Sequence, residues 1–378
     1  MTTDLNLTEL ELRAIGAELN LADGHPRQDL TKSQCDVVAQ FPDLFWFSRQ
    51  QIFSEIERKA QTAFLTALGQ HMAPVQAGRV YSVYSSSVAT MVLANALRGH
   101  RVAMLHPTFD NIHAILSKVV PVMSMSESEI AEIRFSDEVD KQATCLFITT
   151  PNNPTGWVLT QSALEGLCCY CLRKGKVLCL DVSFRGFDIR AQFDHYAVLE
   201  RTGVEYVLVE DTGKLWPLQE LKLGFLAVSE GFREKVHHCL SDVLLTVSPF
   251  LLQLVEVFSL DGAAGGFERL HALIAENRKM IVDALDGFED IKVPDCDARI
   301  SVCRLQLPTS LQAEKAYKFL TSRGVHVLPC RQFYWERPED GARLIRIALA
   351  RNKKVVAEFL SQFSMVLPNI RETRASGR

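Results

Sequence analysis

Lys214 lies in the stretch Val209-Glu-Asp-Thr-Gly-Lys-Leu-Trp-Pro217, with Leu221-Lys-Leu-Gly224 close behind. A short apolar run from Tyr206 to Val209 ends in small polar residues, then a lysine, a tryptophan and a proline. That order predicts a buried strand that delivers Lys214 into a cleft. An apolar pocket disfavours the ammonium form, which lowers a lysine's pKa and lets the amine act as nucleophile or base. Such an amine can form a Schiff base with an aldehyde cofactor. The alternative is a surface lysine with its stem on apolar neighbours and its charge in water, the fate of most lysines. The stretch by itself leaves both open.

The elements that would position this lysine alternate between strand and helix from about residue 50 to 260. Glu55 to Leu68 reads as helix, Arg79 to Tyr84 as strand, and Val88 to Leu97, after Ser85-Ser-Ser87, as helix again. Val102 to Leu105 is a strand that runs out at His106-Pro-Thr-Phe109, and Cys145 to Thr149 and Val177 to Leu180 are two more. Strands separated by helices predict an α/β fold with a parallel or mixed sheet covered on both faces. Ligands on such sheets bind at the carboxyl ends of the strands. Ser85–Ser87, Phe109, Asn152–Asn153, Asp181 and Lys214 all fall there. Beyond a helix over 265–285, strands at Ile300–Leu307, Val325–Leu328 and Leu344–Leu349 with helices at Gln312–Ser322 and Val355–Phe363 predict a smaller α+β domain. The expected organisation is an arm over 1–48 that covers the site, a large domain over 49–264, a small one over 265–370 and a disordered tail over 371–378.

Residues 1 to 22 read as an amphipathic helix with an apolar stripe of Leu7, Leu10, Ile15, Leu19 and Leu21. Thr8 with Glu11 fits a capping box. Asp23-Gly-His-Pro-Arg27 then stops the helix and sets His25 in a turn, where a solvated loop histidine is the plainer alternative.

Over 378 residues, 23% charged and 47% hydrophobic, the proportions are those of a soluble globular enzyme. A net charge of −4 and a pI near 6.2 provide no basic surface for nucleic acid or anionic membrane. The longest apolar run, Thr246 to Leu260, contains Pro249, Gln253 and Glu256 and is shorter than the roughly 20 residues of a membrane span. The polar start, Met-Thr-Thr-Asp, does not look like a secretory signal, so a cytoplasmic location is expected. Ten cysteines are scattered; Cys168-Cys-Tyr-Cys171 lacks a second ligand pair at zinc spacing and falls in a helix-like segment, so free thiols and no metal are expected.

Pro151-Asn-Asn-Pro-Thr-Gly156, Asp181 with Phe184-Arg-Gly-Phe187, Lys214 with Lys222 and Gly224, and Arg346 in Ile345-Arg-Ile-Ala348 resemble, in order and spacing, the fold-type I pyridoxal-phosphate (PLP) aminotransferases. The likeness covers about residues 50 to 350. It implies a mostly parallel sheet between helices and a homodimer with active sites at its interface. By that resemblance Asn153 hydrogen-bonds the cofactor phenolic oxygen, and Asp181 keeps the pyridine nitrogen protonated so that the ring is an electron sink. Phe109 stacks on the ring, Ser183 and Lys222 are counted with the residues that bind the cofactor, and Ser86 and Ser87, opening a helix, hold the phosphate. Departures are equally informative. Phe184 stands where a tyrosine is usual, Asp211 where a phosphate-binding serine is common, and Lys222 in place of an arginine, which keeps charge but loses the bidentate fork.

Ala22-Asp-Gly-His25, Ser85-Ser-Ser87, His106-Pro-Thr-Phe-Asp-Asn111, Ser183-Phe-Arg-Gly-Phe-Asp188, Glu210 to Pro217 and Leu328-Pro-Cys-Arg-Gln-Phe333 carry a narrower resemblance, running nearly end to end. It is to the PLP-dependent L-arginine oxidases of bacterial natural-product pathways, which use O2 and neither metal nor flavin. The resemblance implies oxidation of free L-arginine, through quinonoid intermediates, to a 3,4-dehydro-2-imino or 2-oxo acid or to 4-hydroxy-2-oxoarginine. Arg346 would clamp the α-carboxylate. Asp211 and Glu11, with Thr8 assisting, would hold the guanidinium, and His25 would shuttle a proton or orient water. The guanidinium role of Thr8 and Glu11 competes with the capping box. Two other functions compete with the oxidase. An ordinary aminotransferase for a basic amino acid would need an oxo-acid acceptor and be indifferent to O2. A non-catalytic PLP-binding regulator would need a DNA-binding appendage, which the sequence lacks.

Overall fold

The computed structural model describes residues 5–218 and 220–365, so the tail expected over 371–378 lies outside the described residues. After a two-residue strand β1 (Leu19–Asn20) come β2 (Val80–Val83), β3 (Val102–Leu105), β4 (Val122–Met125), β5 (Cys145–Thr149), β6 (Val177–Asp181), β7 (Tyr206–Asp211) and β8 (Gly224–Val228). These last seven form one sheet in the order β2-β8-β7-β6-β5-β3-β4, in which β8 alone runs against the others. The fold is α/β, as expected. The central strands are buried along their whole length, which is why they read as unbroken apolar runs. In β7, Tyr206 and Leu208 enter the core on one face while Val207 and Val209 enter the core on the other.

β9 (Val302–Gln306), β10 (Val325–His326), β11 (Leu328–Pro329) and β12 (Leu344–Ala348) follow. β11, β12 and β9 make an antiparallel sheet with β12 in the middle, and Arg346 faces Leu328 on one side and Arg304 on the other. The single strand expected over Val325–Leu328 is two short ones. Its first half pairs with β1 and its second half with β12.

The N-terminal helix spans only Leu7–Ala14. Its cap is Asn6, whose side chain accepts from Glu9 N while Glu9 accepts from Asn6 N. The capping box expected of Thr8 and Glu11 is therefore corrected, and both side chains are left for other work. Gly16, at φ +85°, turns the chain so that Leu19 and Asn20 join β10, and Ile15 is half-exposed rather than part of a buried stripe. Leu7, Leu10 and Ala14 bury against Cys330, Phe333 and Leu344, so the helix lies on the smaller sheet.

Pro249–Asp261 and Phe267–Leu285 run on as one helical stretch, broken at Ala264–Gly265 where Gly265 takes φ +102°. By length and composition this stretch could cross a membrane, yet Leu252, Val255, Phe258, Ile274 and Ile281 pack in the main core. Cys168 and Cys171 are buried in the helix Gln161–Lys174 and all ten cysteines are free thiols.

Candidate active site

The carboxyl edge of the main sheet collects the chemistry. β6 ends on Asp181 and β7 on Asp211, after which one tight turn, Thr212–Lys214, presents the lysine. Because β8 runs backwards, it starts at this same edge, which brings Lys222 and Gly224 alongside. Gly224 lies so close to the turn after β2 that an added Cβ would sit 2.7 Å from the Ser85 carbonyl carbon. The helix Ser86–Ala96 therefore starts pressed against β8, with its free amides at the edge. Gly213 similarly lets Lys222 approach Lys214, since a Cβ there would meet Lys222 Cδ at 2.5 Å.

One cavity of about 160 Å3 is lined by all thirteen residues that the resemblance assigns to cofactor, substrate or catalysis, Thr8 and Glu11 included. Two grooves of about 730 and 790 Å3 lie elsewhere, so convergence of polar groups, and not size, marks the site.

Lys214 does not sit in an apolar pocket. The Phe184 ring lies 5.6 Å from Nζ, but His25 Nε2 lies 3.4 Å away, and Asp211 is close enough to act on it electrostatically. His25 itself is fixed at both nitrogens. Nδ1 is 2.5 Å from Asp23 Oδ1 and Nε2 is 2.9 Å from Lys222 Nζ. A carboxylate at Nδ1 and the two lysine amines at Nε2 hold the ring in one orientation. Burial raises the Asp23 carboxyl, but the hydrogen bonds and charge of His25, with Arg351 beside it, bring it well below the usual carboxylate range. The turn is locked from beneath by Arg351, whose guanidinium donates to the carbonyls of Asn20, Asp23 and His25. His25 is thus a held residue and not a solvated loop histidine.

Asp181 is buried, and its Oδ1 accepts from both the amide and the hydroxyl of Ser183. Burial pushes its carboxyl up, partly offset by Ser183 and raised further by Asp211. Asp211 behaves oppositely. Burial raises it, but Lys214, Lys222 and His25 outweigh that and lower it. Its Oδ1 accepts from Gly213 N at 2.7 Å and its Oδ2 from Ser86 Oγ at 2.8 Å, so it touches the serine turn as well as the lysines. Each oxygen retains a second lone pair for a further donor. Ser87 accepts from Asn111, and the Phe109 ring meets Phe333 edge-on.

Arg346 is fully buried. Nη2 pairs with Glu11 Oε1 at 2.9 Å and also donates to Ala22 O; Nη1 donates to Asn153 Oδ1 at 3.3 Å, which leaves the Asn153 Nδ2 donor free.

Asp110 was not singled out by the sequence, although it follows Phe109 directly. Its Oδ2 accepts from Leu7 N at 2.9 Å, tying down the first turn of the N-terminal helix, while Oδ1 is buried without a partner among the described residues. Burial pushes this carboxyl up to about 6, against the Leu7 amide and with Glu11 adding to the rise; Asn111 N and Arg346 lower it. The fold therefore holds this proton more tightly than the unfolded chain does, so the group's contribution to stability falls as pH rises from about 4 to about 6 and stays low above. Asp110→Asn keeps an acceptor without the charge. It is expected to raise the unfolding temperature at pH 8, by at most about 3 kcal/mol of stability, and to leave it nearly unchanged at pH 4. Scanning calorimetry at the two pH values checks this.

Residues 18–363 match the family described as Aminotransferase class I and II. The chain belongs to that family. It is 43% identical to MppP in a structure soaked with the product 2-ketoarginine, which superposes with a TM-score of 0.89 and covers 92% of this chain and 99% of that one. The match makes MppP and this chain members of one family, the narrower resemblance read from the sequence. A valine–pyruvate aminotransferase of Mycobacterium tuberculosis is 24% identical over 279 residues, 72% of this chain and 70% of that one. The aspartate aminotransferase of Thermus thermophilus with maleate, 15% identical over 97% of both chains at a TM-score of 0.76, shares the fold.

An aminotransferase-family site must hold PLP, and the residues present fit it. The cradle between Gly224 and Ser85, with the amides opening the helix at Ser86 and the Lys222 ammonium, suits the phosphate. Asp181, a buried carboxylate with one oxygen already hydrogen-bonded, suits a ring cation. The free Asn153 donor suits the phenolic oxygen, Phe109 a ring face, and Lys214 the aldehyde. The enzyme is PLP-dependent.

Proposed function

We propose that this chain oxidises free L-arginine with PLP and O2, in natural-product biosynthesis. The observation that carries the reading is the 43% identity to MppP, whose structure was soaked with the product 2-ketoarginine, together with a cavity that opposes one buried guanidinium, Arg346, with the carboxylates Glu11 and Asp211. An amino acid with a carboxylate at one end and a guanidinium at the other matches both.

Arg346 would take the α-carboxylate as a bidentate pair, fixing which Cα–H faces Lys214. Glu11 and Asp211, with the Thr8 hydroxyl, would receive the guanidinium. The Lys214 amine would remove the α-proton, and His25 Nε2, 3.4 Å from Lys214 Nζ, is placed to accept that proton or to orient water. Asp23 would hold the imidazole with Nε2 turned towards the two lysines. Bound PLP supplies the electron sink for the substrate carbons. Phe184, lacking the tyrosine hydroxyl, removes one donor from the phenolic oxygen and so shifts charge distribution towards the ring. Each of two two-electron oxidations would reduce one O2 to hydrogen peroxide; water addition at the γ-carbon and hydrolysis of the imine, with loss of ammonia, would give 4-hydroxy-2-oxoarginine, and release without γ-hydration the 3,4-dehydro product.

A homodimer with sites at its interface belongs to this reading, and the exposed Phe45, Trp46 and Phe47 of helix Phe41–Ser48 are a surface that a second copy would cover. So does a cytoplasmic location. The second reading, a transaminase for a basic amino acid, is favoured by the aminotransferase match alone.

An oxygen electrode with mass detection separates them. Purified holoenzyme with L-arginine is expected to consume O2 without any oxo-acid. Equal arginine turnover under argon with an oxo-acid supplied would overturn the oxidase. In the same assay His25→Ala is expected to alter both rate and product distribution.

A further inference from the structure

Arg346 has one carboxylate against it among the described residues, and it belongs to Glu11. The guanidinium is otherwise immobile. Phe333 lies under it, with Cζ 5.4 Å from the ring centroid, and the backbone at Gly24 lies over it, so close that a Cβ there would be 3.9 Å from both Nη atoms. Its Nε has no partner among the described residues, and its remaining hydrogen bonds there go to neutral acceptors, Asn153 and Ala22. A guanidinium so buried needs an anion, and Glu11 is the one supplied.

Glu11 comes from the helix Leu7–Ala14, which is docked independently of that ion pair. Leu7 N donates to Asp110, Gln332 donates to Leu5 O, and Leu7 and Leu10 pack with the same Phe333 that supports Arg346. Glu11 lines the same cavity as Lys214 and Asp211, and its carboxylate already holds Nη2, which a carboxylate pairing bidentately with Arg346 would need. A substrate carboxylate must therefore take the seat that Glu11 fills.

We infer that Glu11 is the resting occupant of the Arg346 carboxylate clamp, and that selection for arginine works by exchange: the incoming carboxylate displaces Glu11, and the incoming guanidinium gives the displaced Glu11 its new partner. The inference rests on the guanidinium role proposed for Glu11. One carboxylate replacing another at Arg346 gains nothing in charge pairing, so a ligand with no distal cation leaves Glu11 without its partner and binds poorly. A ligand with the cation ends with two ion pairs where there was one. Rejection of neutral amino acids is then built into the free enzyme rather than left to the pocket that receives the side chain.

The test is titration calorimetry on the PLP-loaded enzyme with two ligands that lack the α-amine and so cannot react: δ-guanidinovalerate and hexanoate. Wild type is compared with Glu11→Gln, which keeps the side-chain shape. Exchange predicts opposite signs. The substitution tightens hexanoate by about tenfold and weakens δ-guanidinovalerate by about tenfold. Hexanoate affinity that is unchanged or weaker in the variant overturns the exchange while leaving the guanidinium role standing. Tightening of both ligands overturns the exchange through loss of that role. Wild type that fails to prefer δ-guanidinovalerate to hexanoate sinks the arginine reading itself. Unfolding temperatures of the two proteins, expected within a few degrees of each other, separate these results from loss of the helix.

Discussion

Lys214→Ala is expected to lose at least about 10³-fold in turnover with L-arginine, because the substitution removes both the amine that would hold the aldehyde and the base that would take the α-proton. The fold should survive. Lys214 is only half-buried and follows β7 in a single turn whose backbone is fixed by other residues, with Thr212 exchanging hydrogen bonds with Leu223, and Gly213 N donating to Asp211. The measurement is a pair. Borohydride treatment of wild type should leave a cofactor-sized mass on the protein, and the variant should carry none, while thermal unfolding stays close to that of wild type. A variant that retained turnover, or a wild type labelled at another lysine such as Lys222, would remove Lys214 from its assigned place.

Asp181→Asn is expected to cost about 10²- to 10³-fold in turnover with little effect on folding. The side chain is buried at the end of β6, where its charge is disfavoured by burial and by Asp211 and supported by Ser183 and by Lys214. Such a carboxylate is most useful opposite a cation. Asparagine fills the same space and still accepts from Ser183, but cannot hold a ring nitrogen protonated. Since the wild-type fold raises this carboxyl above its ordinary pKa, the neutral amide should not lower stability at neutral pH. The expected signature is a fall in kcat much larger than any change in KM, read by steady-state kinetics, with glutamate at the same position restoring part of it. An unchanged kcat would show that the carboxylate holds no proton that matters.

Much of the frame was legible because parallel strands buried on both faces must be continuous apolar runs bounded by turn residues. β3 and β5 have the bounds read from sequence. β4 and β8 escaped. β4 is short, mostly half-buried and interrupted by Ser124, and β8 opens on a glycine directly after the Lys222 stretch, so its apolar residues looked like the tail of a loop. The N-terminal stripe misled because Leu19 and Leu21 are buried by strand pairing and packing rather than by helix periodicity. Within the site, types and order pointed to the right cavity, but electrostatics did not follow from type. The charged surroundings of Lys214 come from His25, 189 positions away, and from Asp211, which no window around the lysine weighs together. Asp23, two residues before His25, was readable as a side chain positioned to bond that imidazole. Asp110 was not, since nothing in its neighbourhood announces that it will receive the amide of Leu7.

The pairing of β1 with β10, reinforced by Arg351 reaching the carbonyls of Asn20, Asp23 and His25, fastens the opening segment of the chain to the smaller sheet. Glu11, His25 and Arg346 are consequently carried by the smaller sheet and the segment fastened to it, whereas Lys214, Asp181 and Asp211 stand at the carboxyl edge of the main one. The two trios line one cavity, so a change that loosens the Arg351 fastening would disturb the imidazole and the carboxylate grip together while leaving the lysine edge in place.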